Sequence, residues 1–322
     1  MARRATIVRW AGSGSIADLQ SSAEHMLGAE GIRGDVERLG SSLVVSGPEP
    51  ARACTLFRHL PGVSWLAAGY AVHGAAELST AAGELAKRYL RSGGTFAVEA
   101  EVTTGVAASD LEGALTSRVL DSKGARASSS SPRVTFRAAL DAAGGAVGVE
   151  LCHGPGGIPT GRSGASCLVS GGRHSSVMAW HAVLMGYRVR LVHAAEGGDG
   201  LLAAARLYSE LSFRSDPRWL SLLVIEEGQI WQVLRKLSPG RRDPVFCGLT
   251  ASKERSAWLA ETGAASPLYL LPPEWFDSEF KKLGIRECKS APDRSPGGPA
   301  KSVVRSFGGR RADVSEVLDG LS

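Results

Sequence analysis

The segment from Gly156 to Ser176, GGIPTGRSGASCLVSGGRHSS, constrains the fold of this chain more than any other. Its apolar run Cys167–Ser170 predicts a short buried strand, and Gly171-Gly172 predict a tight turn directly after it. A helix is expected to open at about Ser175. Glycines allow close backbone approach, and a helix N-terminus presents free N–H groups and positive charge. The segment therefore predicts a cradle for phosphate or pyrophosphate, with an ordinary glycine turn that binds nothing as the alternative.

Downstream of this loop, strand and helix patterns alternate in the manner of a doubly wound α/β domain. The predicted strands are Cys167–Ser170, Arg188–Ala194, Leu220–Ile225, Val245–Gly248 and Leu268–Leu271. The predicted helices are Ser175–Gly186, Leu201–Leu211, Glu227–Leu237, Lys253–Thr262 and Trp275–Leu283. Ligands of such sheets bind at the carboxyl ends of the strands, which is where Gly171-Gly172 fall.

The first half of the chain predicts two α+β segments. In the first, the strand Ala5–Trp10 and the helix Ile16–Leu27 precede a hairpin over Arg33–Val45 that turns at Gly40, a helix over Pro50–Arg58 and a strand over Val63–Ala68. The second contains the helices Ala75–Leu90 and Ser109–Leu120 and the strands Thr95–Val102, Arg133–Ala138 and Val147–Cys152. Ser109 and Glu112 have the spacing of a capping box.

Composition favours a cytoplasmic protein of two or three domains. The chain has 322 residues, of which 43% are hydrophobic and 21% charged, and it shows neither a membrane span nor a signal peptide. Five cysteines without a CxxC pair argue against a disulfide scaffold and against a zinc site, so no metal-ligating residues are predicted. Cys54, Cys152 and Cys167 are interpreted as packing residues.

The net charge of +5 comes from 37 basic residues, 29 of which are arginine. The planar guanidinium group suits phosphate, so the arginine bias is compatible with RNA binding. A GC-rich genome or a hot habitat would produce the same bias. The mild excess of positive charge does not decide between these explanations.

Two motifs resemble those of a known family. SGGRHSS resembles the SGG-x-DS loop of PP-loop nucleotide α-hydrolases, with His174 where the family has aspartate. GGIPTG resembles the junction that precedes this loop in tRNA 4-thiouridine synthases. The resemblance implies a ferredoxin-like domain over 1–71, a THUMP RNA-binding domain and linker over 72–164, a Rossmann-like PP-loop domain over 165–290 and a flexible tail over 291–322.

The resemblance also implies ligands and an activity. The family uses ATP, with Mg²⁺, to adenylate O4 of a tRNA uridine, and a cysteine persulfide then displaces AMP. The implied nucleotide-binding residues are Ser170, Gly171, Gly172, His174, Ser175, Ser176 and His193. Cys288 is the candidate sulfur-bearing residue, with an exposed inert thiol as the alternative interpretation, and Cys247 is the second candidate.

The implied RNA contacts are the basic residues Lys87, Arg88, Arg91, Arg133 and Arg137. The predicted partners are tRNA, a sulfur-donor protein and a second copy of the chain. In VFCGLTAS, Leu249 stands where the family has glutamate, a second departure beside His174. The alternative function is therefore a non-catalytic THUMP protein that binds tRNA and has a degenerate PP-loop domain.

Overall fold

The computed structural model describes residues 2–47, 49–123, 125–161, 163–169, 173–195, 198–226, 244–247, 268–269 and 303–308. The chain divides into two compact units, Met1–Pro159 and Thr160–Ser322. Both units are mixed α/β structures, as the sequence predicts. Within the described residues, no helix is long and apolar enough to cross a membrane.

The first unit is built on one eight-stranded sheet with the order β2-β3-β1-β4-β8-β7-β5-β6. Its elements are β1 (Arg3–Trp10), α1 (Ile16–Ala29), β2 (Asp35–Leu39), β3 (Ser42–Ser46), α2 (Pro50–Phe57), β4 (Val63–Val72), α3 (Ala75–Tyr89), β5 (Thr95–Val102), α4 (Ala108–Lys123), β6 (Arg126–Ala127), β7 (Val134–Leu140) and β8 (Gly145–Gly156). The two predicted α+β segments, 1–71 and 72–164, thus contribute strands to a continuous sheet.

The two halves of this sheet join where β4 pairs antiparallel with β8. Gly69 lies opposite Gly148 in the register of this pair. A Cβ atom on Gly69 would lie 2.0 Å from the carbonyl oxygen of Val147 and 2.5 Å from the Cα of Gly148. Since no side chain fits in that space, the close approach of the two strands requires glycine at position 69.

The helices cover one face of the sheet. Leu66 and Ala68 of β4 belong to the apolar cluster under α1 and α2, and Tyr70 and Val72 of the same strand contact the cluster under α3 and α4. These residues alternate along β4, so all four helices pack on one side. The pattern explains why both halves bury amphipathic helices against a single sheet.

The opposite face of the sheet is buried by the curvature of the sheet itself. Its apolar cluster consists of strand residues, mostly alanines, with Ala5, Ala67 and Ala146 fully buried. The β2–β3 turn reaches the end of β5, five strand positions away from β3, where the Ser41 hydroxyl donates a hydrogen bond to Glu101. Small side chains on the inner face permit this curl, because large ones would hold the strands apart.

Most elements of the first unit match the sequence prediction within two to four residues, and the hairpin turns at Gly40 with a positive φ of 61°. The capping box is wrong. Helix α4 begins at Ala108, so Ser109 lies inside it, and Glu112 accepts a hydrogen bond at 2.9 Å from the backbone N–H of Ala100 in β5. The side chain of Glu112 therefore connects the helix to the sheet.

The second unit contains a six-stranded sheet with the order β13-β12-β9-β10-β11-β14. Its described elements are β9 (Gly164–Leu168), α5 (Arg173–Leu184), β10 (Arg188–Ala195), α6 (Gly198–Arg214), a 3₁₀ turn (Pro217–Trp219), β11 (Leu220–Glu226), β12 (Val245–Cys247), β13 (Leu268–Tyr269) and β14 (Val303–Gly308). Five of the six strands are parallel, and β14 pairs antiparallel with β11.

The five parallel strands confirm the predicted doubly wound sheet. Helix α5 begins two residues earlier than predicted, at Arg173, which places His174, Ser175 and Ser176 in its first turn. Strand β14 was not foreseen, since it lies in the segment predicted to be a flexible tail. The remaining predicted helices, Glu227–Leu237, Lys253–Thr262 and Trp275–Leu283, lie outside the described residues.

The tight β4–β8 join predicts a large cost for a single methyl group. We expect Gly69→Ala to destabilise the chain by about 3 kcal/mol, because the methyl group forces the two strands apart. Gly113→Ala is the matched control, since this exposed position in α4 has nothing within 4 Å of an added Cβ. Urea unfolding followed by circular dichroism measures both. Equal midpoints for the two variants would contradict the prediction.

Candidate functional site

Strand β9, which leads into the predicted phosphate loop, lies at the topological switch point of the second sheet. From β9 the chain passes through α5 to β10 on one side, whereas β12 flanks β9 on the other side. A crevice opens at the carboxyl ends of two strands whose connections run in opposite directions, and ligands of doubly wound domains bind there. Strand β9 ends and helix α5 begins at this position, which is the edge of the sheet where the sequence analysis expects a ligand.

Cys247 shares this location. It ends β12 and lies opposite Leu168, the last residue of β9, in the parallel register. The backbone therefore brings the second candidate cysteine to the same edge of the sheet as the loop. Cys288, Ser170, Gly171, Gly172 and Leu249 fall outside the described residues, so their predicted roles stay predictions.

The first turn of α5 has the character of an anion-binding helix start. Ser175 and Ser176 are 4% and 5% exposed, His174 is half-buried, and the turn contains no acidic residue. Backbone N–H groups of a first helical turn have no intrahelical acceptor. The turn is therefore suited to phosphate oxygens, and it offers no carboxylate of its own to a magnesium ion.

A buried hydrogen bond links His193 to the backbone just before the predicted loop. Its side chain is 3% exposed at the end of β10, and its Nδ1 lies 2.8 Å from the carbonyl oxygen of Val169, the residue before Ser170. Because a carbonyl can only accept, Nδ1 bears the proton and donates. The Nε2 atom has no hydrogen-bond partner among the described residues and faces the start of α6, where a Cβ on Gly200 would lie 3.5 Å away.

Burial lowers the pKa of His193, and the hydrogen bond to the Val169 carbonyl, which favours the protonated ring, offsets only part of this effect. The ring is thus neutral near pH 7 and acts as a fixed donor at Nδ1. The sequence analysis identified His193 by its position at a strand end. It did not foresee the link to Val169, for which the sequence holds no local signal.

Two of the cysteines interpreted as packing residues are buried in the apolar clusters. Cys167 is 1% exposed and Cys54 is 4% exposed. Burial raises the pKa of Cys54 to about 11, although a hydrogen bond to Thr6 acts in the opposite direction. A thiol with this pKa is protonated at neutral pH and is a poor nucleophile, which leaves Cys54 a packing role.

Three of the predicted RNA contacts lie at the end of α3 and are exposed. Lys87 forms an ion pair with Glu84 at 2.8 Å, and Arg88 lies over the ring of Tyr89 at 5.4 Å. Arg91 follows the helix in the turn toward β5. Exposed ion pairs are weak, so Lys87 can exchange its carboxylate for a phosphate at little cost.

Arg137, one of the implied RNA contacts, lies in a largely enclosed position. Its side chain is only 14% exposed, donates to Glu150 at 2.6 Å, forms an ion pair with Glu99 and lies 4.9 Å from the Trp65 ring centre. Sequence periodicity could not show that the curl of the sheet would enclose this residue. Its charge is neutralised by carboxylates of the neighbouring strands. Arg133, four residues earlier, is exposed at the start of β7.

The acidic residues of β5 also form ion pairs with arginines on the enclosed face of the sheet. Glu99 pairs with Arg137, and Glu101 pairs with Arg9 and accepts from Ser41. Burial, and then the neighbouring charge of Arg137, lower the pKa of Arg9. These carboxylates neutralise enclosed arginines, so they do not present free negative charge to a nucleic acid.

Within the part of the chain that the structure describes, no group of three or more His, Cys, Asp or Glu side chains is placed to hold a metal ion. The predicted Mg²⁺ therefore has no identified protein ligand among these residues.

Comparison with known proteins gives structural similarity without close sequence relatives. No family model and no curated protein matches the chain. PH1313 from Pyrococcus horikoshii Ot3 is 16% identical with a TM-score of 0.72, over 88% of this chain and 100% of that one. A 4-thiouridine synthetase solved as an RNA complex with bound ATP is 15% identical with a TM-score of 0.62, over 88% and 85%. At such identities the similarity shows the fold alone.

The lowered pKa of His193 predicts how stability depends on pH. An unfolded histidine titrates at about 6.5, and the folded state resists protonation. The unfolded state therefore binds more protons, and stability falls as the pH drops through 6.5 toward the folded pKa. His193→Asn, whose amide N–H can still donate to Val169, should lack this share of the pH dependence. NMR titration of the His193 ring at or above pH 6.5 would contradict the assignment.

The enclosed position of Arg137 predicts a contrast with Arg133. We expect Arg137→Gln to cost about 2 kcal/mol, since it leaves two carboxylates without their shared partner. Arg133→Gln, at an exposed position, should stay within about 0.5 kcal/mol of the wild type. Thermal and urea unfolding measure both, and similar losses for the two variants would show that Arg137 has no special structural role.

Proposed function

We propose that this chain is a tRNA-binding protein of the THUMP-containing tRNA-modification type, with a nucleotide-binding cleft in its second unit. The main support is that several candidate elements lie together at the switch point of the second sheet. The end of β9, the first turn of α5, His193 and the end of β12 all lie at one edge of the sheet. The order of the units and the fold shared with an ATP-bound synthetase–RNA complex point the same way.

In the proposed cleft, the chain contributes binding and orientation. The backbone N–H groups of the loop and of the first turn of α5, with the hydroxyls of Ser175 and Ser176, hold the phosphates of ATP. His174 supplies a side chain that pairs with a phosphate when it is protonated. Nucleotide binding here does not depend on a carboxylate in the loop, since the helix start itself favours anions.

We further propose that the reaction is thiolation of a tRNA uridine. ATP, when bound, supplies the adenylate that makes O4 of the uridine a leaving group. The support for Cys247 is its backbone position at the end of β12, opposite the last residue of β9. The support for Cys288 is the family resemblance. Either residue would carry the sulfur as a persulfide received from a donor protein. The terminal sulfur would form the C4–S bond as AMP leaves, and a second thiol would then attack the S–S bond, leaving the sulfur on the uridine and a disulfide between the two thiols.

The second candidate function is tRNA binding without catalysis. Its support is the absence of an acidic residue from the first turn of α5, where His174 replaces the aspartate of the family. A protein that keeps the scaffold for RNA binding needs neither ATP nor magnesium. The two functions differ in a directly measurable property, which is nucleotide affinity.

Calorimetric titration with ATP and with tRNA separates them. The catalytic proposal predicts ATP binding that Gly172→Trp abolishes, because the indole fills the loop, while tRNA binding is retained. His174→Asp should strengthen ATP binding in the presence of Mg²⁺, since it introduces a hard anionic ligand. Circular dichroism checks that both variants are folded. Binding of tRNA with no measurable heat from ATP would favour the non-catalytic function, and binding of neither ligand would refute both.

A further inference from the structure

One face of the second sheet carries exposed arginines at the amino end of β10. Along β10, Val189 and Leu191 face the cluster under α5 and α6, so Arg188 and Arg190 point to the opposite face. Farther along that same face, Val192 of β10 and Ile225 of β11 are fully buried. On this face of the central strand β10, residues at the amino end are thus exposed and basic, whereas Val192 farther along is buried and apolar.

The neighbours of these arginines are small. Gly164 lies opposite Arg188 on β9, while Ser166 on β9 and Ser221 on β11 lie opposite Arg190. Small residues beside a long side chain leave its guanidinium group accessible. Both arginines are exposed, and neither forms an ion pair within the described part of the chain.

Trp219 lies against two arginines of this surface. The Arg188 guanidinium lies 4.2 Å from the ring centre of Trp219, which immediately precedes β11, and that of Arg218 lies 5.3 Å from the same ring. Arg218 is held by Asp216, which is fully buried and accepts from Nε of Arg218 at 2.9 Å. Arg218 is therefore neutralised and rigid, whereas Arg188 is stacked and keeps its hydrogen-bond donors.

We propose that Arg188, Arg190, Arg218 and Trp219, the basic strip, form a contact surface for the phosphate backbone of RNA on the second unit. Stacking on Trp219 restricts the Arg188 side chain in advance, so less entropy is lost when it binds a phosphate. Arg190 lies two residues along the same strand, roughly 7 Å away, and places a second guanidinium beside the first. The indole of Trp219, which is partly exposed, adds a surface for a ribose or a base.

This inference rests on the proposed function in one respect, because the RNA is the same tRNA. It adds contacts that the resemblance does not place there, since the implied RNA contacts all lie in the first unit. Phosphate contacts position an RNA without reading its sequence. The basic strip should therefore increase affinity for tRNA without changing the preference among tRNAs.

The test is tRNA binding by fluorescence anisotropy with the full chain over a range of salt concentrations. The double variant Arg188→Gln/Arg190→Gln should weaken binding on the order of tenfold near 0.15 M salt, and lower the slope of log Kd against log salt by about 1 to 2. Arg206→Gln, at an exposed arginine on α6, is the control matched in charge to Arg190→Gln alone and should bind like the wild type. Arg190→Gln alone, at a position without a stacking partner among the described residues, gives about half of the change in slope.

The outcomes separate this proposal from the proposed function. If the wild type does not bind tRNA, the proposed function fails. If the wild type binds and the double variant binds equally well, only the basic strip is refuted. An equal loss for Arg206→Gln would show a general charge effect and would also refute it. Poly-glutamate that displaces tRNA as well as an unlabelled RNA of equal charge does would identify the strip as a surface for acidic peptides and overturn the RNA assignment.

Discussion

The pairing of β4 with β8 is the interaction on which the first unit depends. It unites two α+β segments that sequence patterns describe separately into one sheet, and glycines face each other at the tightest point of the pair. All four helices pack on one side of the sheet, so the apolar residues of the other side are buried by curvature of the sheet. Small residues on this inner side allow the sheet to curl until its β2–β3 turn contacts the end of β5. Closure then encloses Arg9 and Arg137 together with the carboxylates that neutralise them.

The second unit shows how a doubly wound sheet assembles a site from distant segments. The strand order alone brings the end of β9 beside the end of β12, about eighty residues later in the chain. His193 adds a side-chain link from β10 to the backbone just before the loop. Because this histidine is buried and neutral, the link is independent of charge at physiological pH. The candidate site is thus defined mainly by backbone topology, which does not depend on the identity of the residue at position 174.

Much of this could be predicted from the sequence. Alternating and continuous apolar patterns predicted the described strands apart from β6 and β14, while the ligand site at the glycine loop stays a prediction. Three features could not be predicted, for physical reasons. The burial of Arg137 depends on sheet curvature, which periodicity does not report. Glu112 has capping-box spacing, but its tertiary bond to Ala100 replaces the cap. The pairing of β14 with β11 joins segments far apart in the chain. The alternation in RVRLV was a usable signal for the basic strip, since arginine is unusual in a strand with buried neighbours.

Hydrogen-exchange mass spectrometry of the full chain, with ATP and tRNA added separately, tests the central claim most directly. The account predicts that ATP slows exchange in peptides covering residues 169–177, at the loop and the first turn of α5. It predicts that tRNA slows exchange around residues 87–94 of the first unit and leaves the enclosed strand β7 unchanged. Protection of the loop by ATP together with protection of the α3 end by tRNA would support a tRNA-binding protein with a nucleotide-binding cleft. Exchange unaffected by either ligand in both regions would contradict it.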